Sequence, residues 1–225
     1  MLETSDYFSI LLSIKVALIA TMINVIIGIP VAYILARRDF FGKSVLDTVI
    51  TLPLVLPPTV VGFYLLFVFG KGGFLGSYLY DLFGIRIVFT WYAAVIASQI
   101  VSMPLIVRAA KAAISSVDRE YENVSYTLGR SKFYTIFHVT LPLAKKGIIA
   151  GMILAFCRAL GEFGATIMVA GNIPEKTTTM PVAIYSSFYS SKDYKLFFFV
   201  AILTLVSFLA TIIVNRMEKG WPKRF

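Results

Sequence analysis

Apolar residues run along this chain in long blocks, without the strict alternation of half-buried strands or the single stripe of a surface helix. Five blocks reach the roughly 20 residues that a helix needs to cross the hydrocarbon of a bilayer: about Ser9 to Ala36, Val45 to Phe69, Val88 to Val107, Ile148 to Ala170 and Leu196 to Val214. Lipid offers no partner to a bare backbone N–H or C=O, and the alternation of a transmembrane barrel is missing, so helices are the predicted form. The expected fold class is an all-α polytopic membrane protein with about five transmembrane helices, spans one to five, in a single transmembrane domain over residues 1–225.

Composition agrees: 58% of residues are hydrophobic and 15% charged, against about 25% charged in a soluble domain. Glu3 and Asp6 stand where a cleaved signal would be basic, so the first apolar run is expected to remain as span one. The net charge of +9 is distributed unevenly. Arg37, Arg38 and Lys43 follow span one, Arg108, Lys111, Arg119, Arg130, Lys132, Lys145 and Lys146 precede span four, and Arg216, Lys219, Lys223 and Arg224 follow span five. The other two loops hold only Lys71, Arg86, Lys176, Lys192 and Lys195. Basic loops are retained in the cytoplasm, which puts the N-terminus outside and the C-terminus inside. The charge thus reads as a topology signal aided by anionic membrane lipid, not as a nucleic-acid surface.

The side chains available restrict the chemistry. No Gly-x-x-x-x-Gly-Lys-Ser/Thr loop is present to hold nucleotide phosphates, and Gly70-Lys-Gly-Gly73 lacks the spacing. His138 and Cys157 are the only histidine and cysteine, so no metal site is expected, and no protease constellation lies at bilayer depth. The chain is expected not to be an enzyme.

Between spans three and four, about residues 115–145, the chain carries Glu122-Asn-Val-Ser-Tyr-Thr-Leu-Gly129 and then Val139-Thr-Leu141-Pro142. The glycine permits a sharp turn and the proline lacks an N–H, so two short helices with a turn between them are expected to protrude into the cytoplasm. Glu122, Val124, Ser125, Gly129, Val139, Leu141 and Pro142 resemble the signature of ABC importer permeases, with Val124 and Ser125 where small alanines are usual. The resemblance makes this segment the ATPase coupling loop, with the Glu122 carboxylate free to pair with a partner's arginine.

Two further stretches, Thr51-Leu-Pro-Leu-Val-Leu-Pro-Pro-Thr-Val-Val-Gly-Phe63 and Arg158-Ala-Leu-Gly-Glu-Phe-Gly-Ala-Thr-Ile-Met-Val-Ala-Gly-Asn-Ile-Pro174, are similar to segments of molybdate and tungstate permeases. Sulfate permeases share much of the second. What the resemblance implies is a type I ABC importer permease fold, a homodimer in the cytoplasmic membrane of a prokaryote, ATPase subunits on the inside and an oxyanion-binding protein on the outside. ATP and Mg²⁺ then belong to the ATPase, and this chain carries no cofactor. A sulfate or thiosulfate permease is the alternative within the class; an ATPase-independent secondary transporter or channel is the alternative outside it, disfavoured by the coupling signature and by the absence of an inverted repeat.

Pro57, Pro58 and Thr59 in span two, and Arg158 and Glu162 in span four, are the candidates for the translocation path. The prolines kink span two, either as a static bend or as a gate. Arg158 and Glu162 are spaced i, i+4, which places them on one helix face as an ion pair that either fixes packing or lines the anion route. Lys15 reads as a snorkelling side chain, and Met180 to Phe188, with Tyr185 and Tyr189, as an interfacial helix. The glycine-rich 70–76 stretch and the 171–181 stretch read as outer loops, which the resemblance makes docking surfaces for the binding protein.

Overall fold

The computed structural model describes residues 4–190 and 193–219, and over these residues the fold is all-helical with no strand. In chain order the helices are α1 (Thr4–Arg37), α2 (Lys43–Val55), α3 (Pro58–Phe69), α4 (Phe74–Phe83), α5 (Trp91–Ser115), α6 (Arg119–Thr127), α7 (Lys132–Thr135), α8 (Leu141–Leu160), α9 (Gly164–Val169), α10 (Met180–Tyr189) and α11 (Asp193–Lys219). A π-turn over Ile136–Thr140 joins α7 to α8. Four rods are long and apolar enough to cross a bilayer: α1, α5, Lys132–Leu160 and Tyr194–Met217.

Span two is the main correction. It is not one kinked helix: α2 and α3 meet at a bend of 114°. A residue before proline is pushed toward extended backbone, and both Leu56, before Pro57, and Pro57, before Pro58, are extended with ψ of 142° and 134°. Pro58 then opens α3, where its missing N–H costs nothing. Two successive X-Pro constraints break the helix where a single proline would bend it. Span four is also interrupted, since α8 ends at Leu160 and α9 starts only at Gly164. Span three runs on to Ser115, beyond the bilayer-length block. The glycine-rich stretch after span two forms one turn and then α4.

The centre of the molecule is the packing of α1, α5 and α8, and small residues bring these axes together. Ala17, Ala20, Ala94, Ala97, Ala110 and Ala155 are fully buried, and a Cβ added at Gly151 would stand 2.6 Å from the Ala109 Cβ. In lipid, where one apolar surface is as good as another, such close approach is what holds helices together. One apolar cluster gathers the ends of α1, α3, α5 and α9 around Val16, Leu65 and Val101. A second unites the other ends of α1, α5 and α8 around Leu35, Ile106 and Ile148. A third seats α10 and α11 on α1 and α8 through Met180 and Phe199.

Polar side chains pin the same helices. Asn24, fully buried, donates to Ser102 Oγ (2.8 Å) and accepts from Gln99 Nε2 (3.0 Å), across α1 and α5. Asp6 and Lys195, 3.1 Å apart, tie the start of α1 to the start of α11. Lys111 holds Asp47 at 2.8 Å, fixing α2 on α5. Lys15 is exposed, and its Nζ lies 3.8 Å from the centre of the Trp91 ring. Met180 to Phe188 lies within α10, which exposes Tyr185, Phe188 and Tyr189, whereas Met180 to Ala183 are buried and Met180 N donates to Ser13 Oγ at 2.7 Å.

The orientation is testable with exposed positions. After Cys157→Ser, Ser190→Cys, at the end of α10, is expected to react with an impermeant maleimide in intact cells, and Ser131→Cys, beside α7, only after lysis. The reverse labelling pattern contradicts the orientation drawn from loop charge.

Candidate functional site

The segment between α5 and α8 is built as a helical hairpin with a cap at each joint. Asp118 starts α6, its Oδ1 accepting from Glu120 N at 3.1 Å. Gly129 ends it: with φ of 74° the chain enters the left-handed region, so that Arg130 N donates to Ser125 O and Gly129 N to Tyr126 O. A β-branched residue there is strained. Ser131 caps α7 through Tyr134 N, and a buried hydroxyl pair, Ser125 Oγ to Thr135 Oγ1 at 2.8 Å, fastens α6 to α7.

Pro142 stops nothing. Leu141 N donates to Ile136 O, five residues back, so the backbone slips into the wider π register immediately before the proline and continues as α8. The expectation of two short helices is therefore corrected: α6 is short, but its partner runs unbroken from the Gly129 turn into the membrane span.

Glu122 also departs from expectation. Its carboxylate does not face out toward another subunit. Glu122 is 7% exposed, and its Oε1 is ion-paired with Arg37 Nη2 at 2.9 Å and accepts from Thr140 Oγ1 at 2.8 Å. The same Arg37 nitrogen donates to Val117 O at 2.8 Å. One carboxylate thus joins the end of α1, α6 and the π-turn. By position Arg37 reads as a topology residue; an arginine closing an apolar helix, with a carboxylate in the distant hairpin between α5 and α8, is the signal for this pairing. Outward from α6 point Tyr121, Val124 and Leu128, all more than half exposed. Their i, i+3, i+7 spacing makes an apolar stripe left uncovered among the described residues. Val139 and Leu141 are partly buried, and Leu141 packs into the core beneath the π-turn.

The second candidate set lies at the two helix breaks, which face each other. A Cβ added at Gly164, first residue of α9, would stand 2.7 Å from Pro58 Cβ and 3.4 Å from Thr59 N. One added at Gly62 would meet Met168 Cβ at 2.7 Å and Ala165 Cα at 3.0 Å. Pro57, Pro58 and Thr59 are exposed on the surface of the single chain. The structure brings Pro58 and Thr59 against the α9 break, and it joins Arg158 to Glu162, with Nη1 and Oε2 2.7 Å apart. The helical face expected for that pair is only half present, because Glu162 sits beyond the end of α8. Its other oxygen accepts from Ala165 N at 2.8 Å and so caps α9. Glu162 is 2% exposed, whereas the Arg158 side chain keeps about a third of its surface, 30%.

Among the described residues no group of histidine, cysteine and carboxylate side chains could hold a metal.

Residues 28–222 match the family described as binding-protein-dependent transport system inner membrane component. The chain belongs to this family. It is accordingly a multi-pass inner-membrane permease, a transport component and not a catalytic one. Relatives of this permease include the molybdenum transport permease ModB of Escherichia coli K12, 47% identical over 185 residues covering 82% of this chain and 81% of that one. ModB of Haemophilus influenzae is 42% identical over 213 residues, 92% of this chain and 93% of that one. Among solved structures, the permease shares its fold with the MetNI methionine ABC transporter (TM-score 0.69, 14% identity, 96% of this chain and 99% of that one). The bacterial alginate ABC transporter gives a TM-score of 0.70 at 14% identity, over 96% of this chain and 77% of that one. These are type I ABC importer folds.

Removing the Glu122 carboxylate strands a buried guanidinium, so Glu122→Ala is expected to cost about 3–5 kcal/mol. The readouts are a lower melting temperature and faster protease cutting at the Gly129 turn, with most of the loss recovered by Arg37→Met combined with Glu122→Leu. An unchanged melting point and cutting rate for Glu122→Ala would count against the three-way tie. At the breaks, Gly164→Val is expected to cost on the order of 1–3 kcal/mol because its Cβ overlaps the Pro58 ring, whereas Gly72→Ala, at a position with open space around it, changes melting little.

Proposed function

We propose that this permease, as two copies around a twofold axis, carries molybdate into the cell, with tungstate as the second tetrahedral dianion. An ATPase pair docks inside and an oxyanion-binding protein outside. The observation that carries the reading is the 39–47% identity to molybdenum permeases over most of the chain. Five spans leave little room for a route within one chain, and a route on the dimer axis is the natural solution. No residue of α2 is buried, and α3 leaves Phe63, Tyr64 and Phe67 more than half exposed; these faces are the ones free to meet a second copy. Pro57, Pro58 and Thr59 then border the route. Arg158 and Glu162 steady the α9 break beside it, and weak attraction there suits passage better than a tight cage would.

Coupling falls to the apolar stripe of α6. Tyr121, Val124 and Leu128 fit an ATPase cleft, and Glu122 and Arg37 hold the stripe rigidly on α1.

A sulfate permease is the second reading, favoured by 38% identity over 173 residues to a probable sulfate permease, cysT, of Chlorokybus atmophyticus, covering 77% of this chain and 60% of that one. Competition settles it: uptake of labelled molybdate into vesicles containing permease, ATPase and binding protein is expected to be suppressed by excess tungstate and not by excess sulfate. Leu128→Asp, which places a charge in the stripe without touching the buried tie, is expected to cut ATP-driven uptake more than tenfold at normal membrane level. Uptake that survives without the ATPase would instead identify a secondary transporter.

A further inference from the structure

One half of α1 and the helix leaving the Gly129 turn enclose an open groove of about 530 Å³. Its walls are apolar, formed by Ile26, Ile29 and Tyr33 on one side and Phe133, Ile136 and Phe137 on the other. Arg38 and Lys132 also line it, Arg38 directly beyond the end of α1 and Lys132 at the start of α7.

Length and charge together identify an occupant. From Val25 to Arg38 α1 rises about 20 Å, which equals half of a bilayer about 40–45 Å thick with its headgroups. On the orientation set by loop charge, the cationic end lies at the cytoplasmic headgroups. Three other cations of this end of the molecule are already neutralised: Arg37 by Glu122, Lys43 by Asp39 and Lys111 by Asp47. Arg38 and Lys132 are exposed, and among the described residues neither side chain has an ion-pair partner. A second copy of the chain is a poor occupant, because it would bring to these cations a molecule whose own net charge is +9 and whose cytoplasmic loops are basic.

We propose that the groove holds one anionic diacyl phospholipid of the inner leaflet, an acyl chain lying along Ile29 and Phe137 and the phosphate set between Arg38 and Lys132. Charge-assisted hydrogen bonds from a guanidinium and an ammonium supply the headgroup preference, and the apolar walls supply the rest. Arg38 follows α1, and Lys132 opens the second arm of the coupling hairpin. The headgroup therefore bridges the two elements that Glu122 already ties, and adds a membrane-dependent clasp to the coupling segment. The assignment depends on membrane orientation and not on the transported anion.

The test uses the full chain purified in a zwitterionic detergent, exchanged against phosphatidylglycerol or phosphatidylcholine and weighed intact by native mass spectrometry. Wild type is expected to retain phosphatidylglycerol at least fivefold over phosphatidylcholine. Arg38→Gln with Lys132→Gln is expected to abolish that preference, and Lys145→Gln with Arg216→Gln, exposed cations away from the groove, to preserve it. In membranes, Ile26→p-benzoylphenylalanine is expected to cross-link to labelled phosphatidylglycerol. Equal retention of the two lipids, a preference that survives the Arg38/Lys132 double substitution, or cross-linking from position 26 to a second copy or to the ATPase would each overturn the proposal.

Discussion

A single oxygen, Glu122 Oε1, forms an ion pair with Arg37 and takes a hydrogen bond from Thr140, and the position of the whole hairpin depends on it. Charges this deeply buried are tolerated only when paired. The pair is therefore an all-or-none constraint: α6 either sits against the end of α1 with the π-turn behind it, or leaves two buried charges without partners. The remaining contacts of α6, such as the Ser125–Thr135 hydroxyl pair, are worth about 1 kcal/mol each and could not hold the hairpin alone. The apolar stripe on its opposite face is thereby presented at a fixed angle.

The two helix breaks obey a different logic, that of close approach. The Pro57–Pro58 corner is accommodated because α9 offers glycine at the point of contact, and α3 offers Gly62 to α9 in return. Two interrupted spans lean on each other where each lacks helical hydrogen bonds. Glu162 meets part of that shortfall by capping α9, which gives an intramembrane carboxylate a structural occupation independent of any anion.

Much of this was legible in the chain. Membrane-length blocks identified α1, α5, α8 and α11, because the 20-residue requirement acts on composition alone. The coupling signature located α6 and its glycine turn, since a left-handed residue there admits little else. What escaped notice were pairings between distant positions: Arg37 with Glu122, Asn24 with Gln99 and Ser102, Asp6 with Lys195. Each partner looks unremarkable until folding brings the helices together. The 114° corner also escaped, because consecutive prolines announce an interruption but not its angle, which depends on α9. The short α4 hid behind glycines that mark a turn and carry no signal for the helix beyond it.

The continuity of Lys132–Leu160, 29 residues without a break, has a mechanical consequence. At 1.5 Å per residue it is a rod about 43 Å long, one end of which lies in the α6–α7 hairpin while the other ends at the break before α9, which Glu162 caps. A tilt of roughly 5° about the hairpin end would carry the other end about 4 Å. The π-turn sits near the hairpin end, where the wider helical register leaves Leu141 packed on the core. The hairpin and the break thus stand at the two ends of one continuous helical element, with no loop between them.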